Sequence, residues 1–247
     1  MKCSICKSNW VYAENLFYNN WLLCKNCGHS SLISLSSLDK LSDQYESNNL
    51  AAKDPKARHF YAAKLLDSIK PKSVLDIGPG NYFPFQISKT SSTIIKYYGV
   101  DFQSNKLAST FSNILQISPR EELNQAIPTS GIDFLLLDNC LEHLPCPYSS
   151  LSIYTSFLHT NSYVFVSCPN KYNLKNILNP NREYSFPDEH IQIFTSKSLD
   201  LLMSSFSLYP ISLSNISLFS AHLPILTSQL GLPLFGLYRL YKYFPDL

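Results

Sequence analysis

The stretch Ser73–Phe83, Ser-Val-Leu-Asp-Ile-Gly-Pro-Gly-Asn-Tyr-Phe, constrains the fold more than any other part of the chain. Val74, Leu75 and Ile77 form a short apolar run ending in glycine and proline, the pattern of a buried parallel strand entering a tight turn. Only 7 glycines occur in 247 residues, yet Gly78 and Gly80 stand two apart here. Glycine used so sparingly marks a backbone that must approach something closely. Asp76 adds a carboxylate at the carboxyl end of the strand, where open α/β sheets bind ligands. The plain alternative is a strand-to-helix turn that holds no ligand.

Further runs repeat the pattern. Thr93–Val100 is rich in β-formers and ends at Asp101, 25 residues after Asp76. A carboxylate there can accept both hydroxyls of a ribose, or simply serve as a turn aspartate after Gly99. Ile114–Ile117, Ile132–Leu137 and Tyr163–Ser167 read as three more strands. Helices are expected over Phe83–Ser92, Arg120–Ala126, Leu151–Leu158 and Ser196–Phe206. A further helix, opened by Asp54 and Pro55, runs to about Lys70 with Phe60, Ala63, Leu66 and Ile69 on one face. Strands alternating with helices predict a parallel sheet with right-handed crossovers. After Ile132–Leu137 the chain opens into Asp138-Asn139-Cys140-Leu141-Glu142-His143-Leu144, a polar loop at the same sheet end as Asp76 and Asp101.

Cys3-x-x-Cys6 and Cys24-x-x-Cys27 form two thiol pairs separated by 17 residues. Zinc takes four thiolates in a closed tetrahedral shell, and two such knuckles supply them. Trp10, Val11, Tyr12, Phe17, Tyr18 and Trp21 between the pairs suggest a hairpin too small to stay folded without metal. His29 is a substitute ligand by position, although four cysteines already fill the shell. A redox dithiol is the competing reading.

Lys+Arg 20 against Asp+Glu 18 leaves a net charge of +2, with no basic stripe for a nucleic acid. The opening Met-Lys-Cys-Ser-Ile-Cys lacks the apolar stretch of a signal peptide, so a cytoplasmic, reducing location is expected. Asn170–His190 is a long loop ending in Asp188-Glu189-His190, the kind that closes over a sheet as a lid. From Leu201 to Tyr238 there is no Asp, Glu, Lys or Arg, but prolines and serines break the stretch too often for a membrane span. An amphipathic cover, a homodimer surface or a membrane-surface contact is expected there.

With these pieces placed, Lys56–Ile216 resembles the class I S-adenosylmethionine-dependent methyltransferases. The resemblance rests on Val74-Leu-Asp-Ile-Gly-Pro-Gly80, Gly99-Val-Asp101, Ile132–Leu144 with its Leu-Glu-His-Leu, Val164–Asn170 and Glu189-His-Ile-Gln-Ile-Phe-Thr195. It implies an α/β, Rossmann-like sheet whose last antiparallel strand is either lacking or rebuilt from Ser214–Ala221. It further implies that Asp76, Gly78 and Gly80 line the methionine half of the cofactor. Asp101 would hold the ribose, Phe102 would lie by the adenine, and Asp138 and Asn139 would border the sulfonium. Tyr82 stands where many relatives keep a third glycine, and no acid follows the third strand. The N-terminal module looks like the zinc ribbon of methyltransferases in sugar and surface-polysaccharide biosynthesis. The domains then run 1–34 for the zinc ribbon, 35–70 for a connector and helix, and 71–247 for the S-adenosylmethionine-binding domain.

The expected function is methyl transfer to a small acceptor, sugar-like or lipid-linked, with S-adenosylmethionine and a structural zinc as cofactors. His143 and His190 each follow a glutamate on a loop at the mouth, so both are base candidates, and both equally suit hydrogen bonds that pin loops. Two alternatives stand beside this: an RNA methyltransferase with a zinc ribbon, and a non-catalytic binding protein of methyltransferase descent.

Overall fold

The computed structural model describes residues 2–9, 12–16, 19–32, 57–79, 94, 96–100, 114–117, 123–171, 190–211 and 234–240. The connector, the helix expected over Phe83–Ser92 and residues 172–189 of the expected lid lie outside them, as do Gly80, Tyr82, Asp101 and Phe102. In chain order the strands β1 (Tyr12–Leu16), β2 (Asn19–Leu23) and β3 (Ser30–Leu32) come first. Helix α1 (Ala57–Ile69) leads into β4 (Ser73–Ile77), then β5 (Lys96–Val100) and β6 (Ile114–Ile117). Next are α2 (Leu123–Ala126), β7 (Ile132–Asp138), α3 (Pro147–Ser156) and β8 (Leu158–Cys168). The short β9 (Gln192–Ile193), α4 (Ser196–Ser204), β10 (Leu208–Pro210) and β11 (Leu234–Leu240) follow.

Seven strands build the larger sheet in the order β10-β11-β8-β7-β4-β5-β6. The strands β4 to β8 pair in parallel, while β11 lies antiparallel between β8 and β10. The order turns back on itself at β4, flanked by β5 and β7, so the ligand crevice of such a sheet falls at the carboxyl ends of β4 and β7. The last antiparallel strand is therefore present, and it is drawn from Leu234–Leu240 rather than Ser214–Ala221, which lies outside the described residues. Part of the C-terminal apolar stretch is thereby spent inside the sheet instead of on a dimer surface. No helix among the described residues is long and apolar enough to cross a membrane.

The central strands β4 and β7 are mostly apolar because both faces are covered. On β7, Phe134 and Leu136 face α1 with Val74, Tyr97 and Phe165, packed on Ala62, Leu65 and Leu66. Leu135 and Leu137 face the opposite way, toward Leu151 of α3, Leu199 and Leu202 of α4, and the cysteines Cys3, Cys24 and Cys27. Alternation along one strand thus feeds two cores. The buried face of α1 is Ala62, Ala63, Leu65 and Leu66, with Ile69 only at its edge, a rotation from the expected stripe. Lys70, at φ +52°, ends α1 in a left-handed turn whose amide donates to the Leu66 carbonyl at 2.8 Å. Thr195 caps α4, accepting from the Ser198 amide in a reciprocal capping box.

At the amino-terminal end of β4 and β7, Asp133 accepts from the Lys72 and Ser73 amides at 2.8 and 2.9 Å and lies 2.7 Å from His159 Nε2. Burial works to raise its pKa, but the bonds from His159, Ser73 and Lys72 outweigh that and hold it below the ordinary value. Asp133→Ala should lower unfolding stability by about 2 kcal/mol, the scale of hydrogen bonds to a charged group. Urea unfolding checks this, and the cofactor end should be untouched. The stabilisation is complete above the unfolded aspartate's pKa of about 3.9 and is lost as pH falls through the lower folded value.

Candidate functional site

The crevice begins at the turn after β4. Gly78 has φ +71°, a left-handed conformation that side chains resist, and its amide donates to the Val100 carbonyl at 2.8 Å. A β-carbon there would meet only the Cys140 Cβ, at 4.0 Å, so among the described residues the space over the turn is open. That is the cradle a bulky cofactor needs. Asp76 lies buried beneath it, accepting a hydrogen bond from the Tyr97 hydroxyl on β5.

The neighbouring strand β7 ends in a second polar group. Asn139, at φ +51°, donates its amide to the Ser167 carbonyl at 2.9 Å, with the Ser167 hydroxyl at 3.2 Å. That hydroxyl donates in turn to Asp138. From the other side His59 Nε2, at the start of α1, stands 3.2 Å from Asp138 Oδ2. The Asp138 carboxylate is thus gripped between β8 and α1, facing the crevice end of the sheet.

Beyond it the chain makes one 3-10 turn, Leu141–His143, that buries Leu141 and Glu142 and leaves His143 partly exposed. Glu142 is 1% exposed. The Ile191 amide donates to the Glu142 carbonyl at 2.9 Å and brings His190 alongside. The His143 and His190 rings meet edge-on with centroids 4.8 Å apart. Their Nε2 atoms lie 4.0 and 3.9 Å from the same Glu142 oxygen. Burial, then the nearby His143, pushes the His190 pKa down to about 3, so this ring is a neutral imidazole and a weak proton acceptor near pH 7.

The cysteines form a separate centre. The Sγ atoms of Cys3, Cys6, Cys24 and Cys27 all lie within 4.8 Å of one another. Cys3 and Cys27 are 3.8 Å apart, and Cys6 and Cys24 3.5 Å. Four thiolates about 2.3 Å from a tetrahedral zinc stand about 3.8 Å apart, so the donor set fits. A hydrogen bond from Cys27 draws the Cys3 pKa down to about 5, while the same contact pushes Cys27 well up. Such crowded thiols share protons because they cannot all ionise without a cation among them. His29 is not part of the cluster; its Nε2 lies 2.9 Å from Gln192 Oε1.

Strand pairing and side-chain hydrogen bonds make the cysteine module continuous with the crevice. Its strands run β1-β2-β3-β9, and β9 comes from the segment just after His190. Ser30 and Ser31 pair with Ile193 and Gln192, and the Leu32 amide donates to the Ile191 carbonyl. Thr195 Oγ1 donates to the Cys27 carbonyl at 2.7 Å, and Lys171 Nζ to Ser30 Oγ at 2.7 Å. Both ends of the loop expected to form the lid are therefore fastened to the module.

A family model described as a methyltransferase domain matches residues 50–213. The chain belongs to the methyltransferase domain family. No curated protein sequence is similar enough to match this methyltransferase. Among solved structures it is similar to a SAM-dependent methyltransferase from Archaeoglobus fulgidus, at 15% identity and TM-score 0.55, over 79% of this chain and 99% of that one. It is also similar to the 1,6-didemethyltoxoflavin-N1-methyltransferase of Burkholderia thailandensis, seen with 1,6-didemethyltoxoflavin and S-adenosylhomocysteine. There the identity is 13% and the TM-score 0.59, covering 94% and 100% of the two chains. The plantazolicin methyltransferase BamL, seen with a desmethyl plantazolicin analog and SAH, gives 16%, 0.55, 84% and 92%. At these identities the likeness is one of fold: the methyltransferase has the sheet of the S-adenosylmethionine-dependent enzymes.

Of the residues expected to touch the cofactor, the methyltransferase brings Asp76, Gly78, Asp138 and Asn139 to the ends of β4 and β7, while Gly80, Asp101 and Phe102 lie outside the described residues. It brings His143 and His190 together on Glu142. Sequence reasoning assigned no role to three residues that line the candidate site: His59, Ser167 and Glu142. Ser167 carried a readable signal, since it closes an apolar strand at the crevice end.

Proposed function

We propose that the protein moves the methyl group of S-adenosylmethionine onto a hydroxyl of a small acceptor, sugar-like or lipid-linked. The observation that carries this reading is the open, left-handed Gly78 turn at the switch point of the sheet, beside the fixed Asp138–Asn139 pair. S-adenosylmethionine supplies a methyl already activated by a sulfonium, so the protein's task is chiefly positioning. Gly78 and Gly80 let the backbone approach the amino-acid portion, and Asp101 takes the ribose hydroxyls with Phe102 beside the base. Asp138, held by Ser167 and His59, presents a fixed negative edge toward the sulfonium. The Glu142–His143–His190 cluster receives the acceptor hydroxyl and governs its proton. The didemethyltoxoflavin enzyme, which shares the fold, is an N1-methyltransferase seen with the small molecule 1,6-didemethyltoxoflavin, in keeping with a small acceptor. A near-neutral chain offers little to RNA.

In the same reading, zinc on Cys3, Cys6, Cys24 and Cys27 has a structural role, and the protein works in the reducing cytoplasm. Among the described residues all seven cysteines are free thiols.

Calorimetry with S-adenosylmethionine is the deciding test. The parent should bind, and Asp101→Ala should bind about 1.5–3 kcal/mol more weakly, the scale of charge-assisted hydrogen bonds lost. A parent protein that binds no S-adenosylmethionine ends the reading.

A further inference from the structure

Three potential ligands converge where the cysteine module meets the large sheet. Glu142 and His143 come from the turn after β7, and His190 from the segment that enters β9. Their ligand atoms lie within 4.8 Å of one another. At 4.0 and 3.9 Å the two Nε2 atoms are too far from the Glu142 oxygen for hydrogen bonds. Tetrahedral ligands about 2.1 Å from one shared cation stand about 3.4 Å apart, so the two imidazoles need to draw in by only about half an ångström to share one with Glu142. The carboxylate is fully buried while His143 keeps 24% of its side chain exposed, so the cluster is closed on the protein side and open on the other.

We propose that Glu142, His143 and His190 form a second metal centre, which binds one divalent cation through a carboxylate oxygen and two imidazole nitrogens. Its chemistry differs from that of the cysteine centre. One carboxylate and two imidazoles suit a borderline cation such as Mn2+, Co2+ or Zn2+, whereas four thiolates select zinc. Three protein ligands leave coordination positions for the acceptor. This deepens the methyl-transfer reading and, for the role of the cation, rests on it. The cation polarises the acceptor hydroxyl; its oxygen bonds to the methyl carbon as the carbon–sulfur bond breaks, sulfur keeps the electron pair, and the hydroxyl proton passes to water. His190 then acts through its lone pair, the property that a buried neutral imidazole retains.

The placement is built into the fold rather than left to a loose loop. The Ile191 amide bond to Glu142 locks the two ligand segments together, and Gln192 Nε2 adds a bond to the Pro145 carbonyl at 3.3 Å. The pairing of β9 with β3 fixes the same segment from the other side.

The test is a Mn2+ titration of the full chain carrying one zinc per chain, which the four thiolates take, followed by the electron paramagnetic resonance signal of aqueous Mn2+. The parent should take up one Mn2+ per chain with its zinc retained. Glu142→Gln and His143→Ala should each weaken uptake by more than about 100-fold, since even residues that merely support metal ligands are worth 10–100-fold. Both should keep the parent's circular dichroism spectrum and zinc content, which separates ligand loss from misfolding. No Mn2+ uptake by the parent at millimolar concentration, or undiminished uptake by both variants, overturns the proposal. The count is made without S-adenosylmethionine, so a failure of cofactor binding would bear on the methyl-transfer reading alone.

Discussion

Replacing Cys24 with serine should destabilise the whole protein, in one transition, rather than melt the N-terminal module alone. Separate cores are what the sequence suggests for a small metal module ahead of a large α/β sheet. The packing differs: Cys3, Cys24 and Cys27 belong to the same buried cluster as Leu75, Leu135, Val164 and Leu199. Lys7 Nζ also sits 4.4 Å from the Tyr148 ring on α3, and Lys197 Nζ donates to the Asn26 carbonyl. Zinc–thiolate sites contribute about 10–16 kcal/mol, so one lost ligand of four removes about 2.5–4 kcal/mol. At about 2–4 °C per kcal/mol for a chain of this size, the midpoint should drop by about 5–16 °C. Chelation should have at least as large an effect. Thermal melts followed by far-ultraviolet circular dichroism decide the matter: two transitions, the larger at the parent's midpoint, would show that the cores are independent.

Gly78→Val should eliminate measurable S-adenosylmethionine binding, a loss of more than about 100-fold or about 2.7 kcal/mol. Two effects combine. A β-branched residue at φ +71° is strained by about 1–3 kcal/mol, and its methyl groups enter the open space above the turn. Among the described residues the nearest atom to the new β-carbon is 4.0 Å away, so they should accommodate the volume with only that modest strain. Calorimetry alongside urea unfolding separates the two effects. Unchanged affinity in a folded variant would mean that the cofactor does not lie on this turn.

Much of the large sheet is legible in the sequence because parallel strands buried on both faces are nearly continuous apolar runs. Val74–Ile77 and Ile132–Leu137 announce themselves in that way, and each is followed by the polar residues of the crevice. Strand β11 hides for the opposite reason: Gly236 and Arg239 interrupt its apolar run, and serine-rich Ser214–Ala221 looks as extended as it does. The two-residue β9 has no local signal at all. It exists because β3, far away in sequence, offers an edge to pair with. Glu142 is missed because burial of an acid is a property of its neighbours: Leu141 and Leu144 around it predict a turn, not a closed pocket. His59 sits among α1 residues that pattern alone assigns to helix packing, and its contact with Asp138 depends on where that helix crosses the sheet.

The pairing of β3 with β9 also sets an order of assembly during synthesis. His29 and Gln192, which meet beside it, are 163 residues apart. At about 5–20 residues per second, β9 leaves the ribosome about 8–33 s after β3. Throughout that interval the four thiols exist in the cell while the strand that completes their sheet is still unmade. The thiols are therefore available to a metal before β9 can pair, and His190 reaches Glu142 only afterwards, with β10 and β11 still to be made.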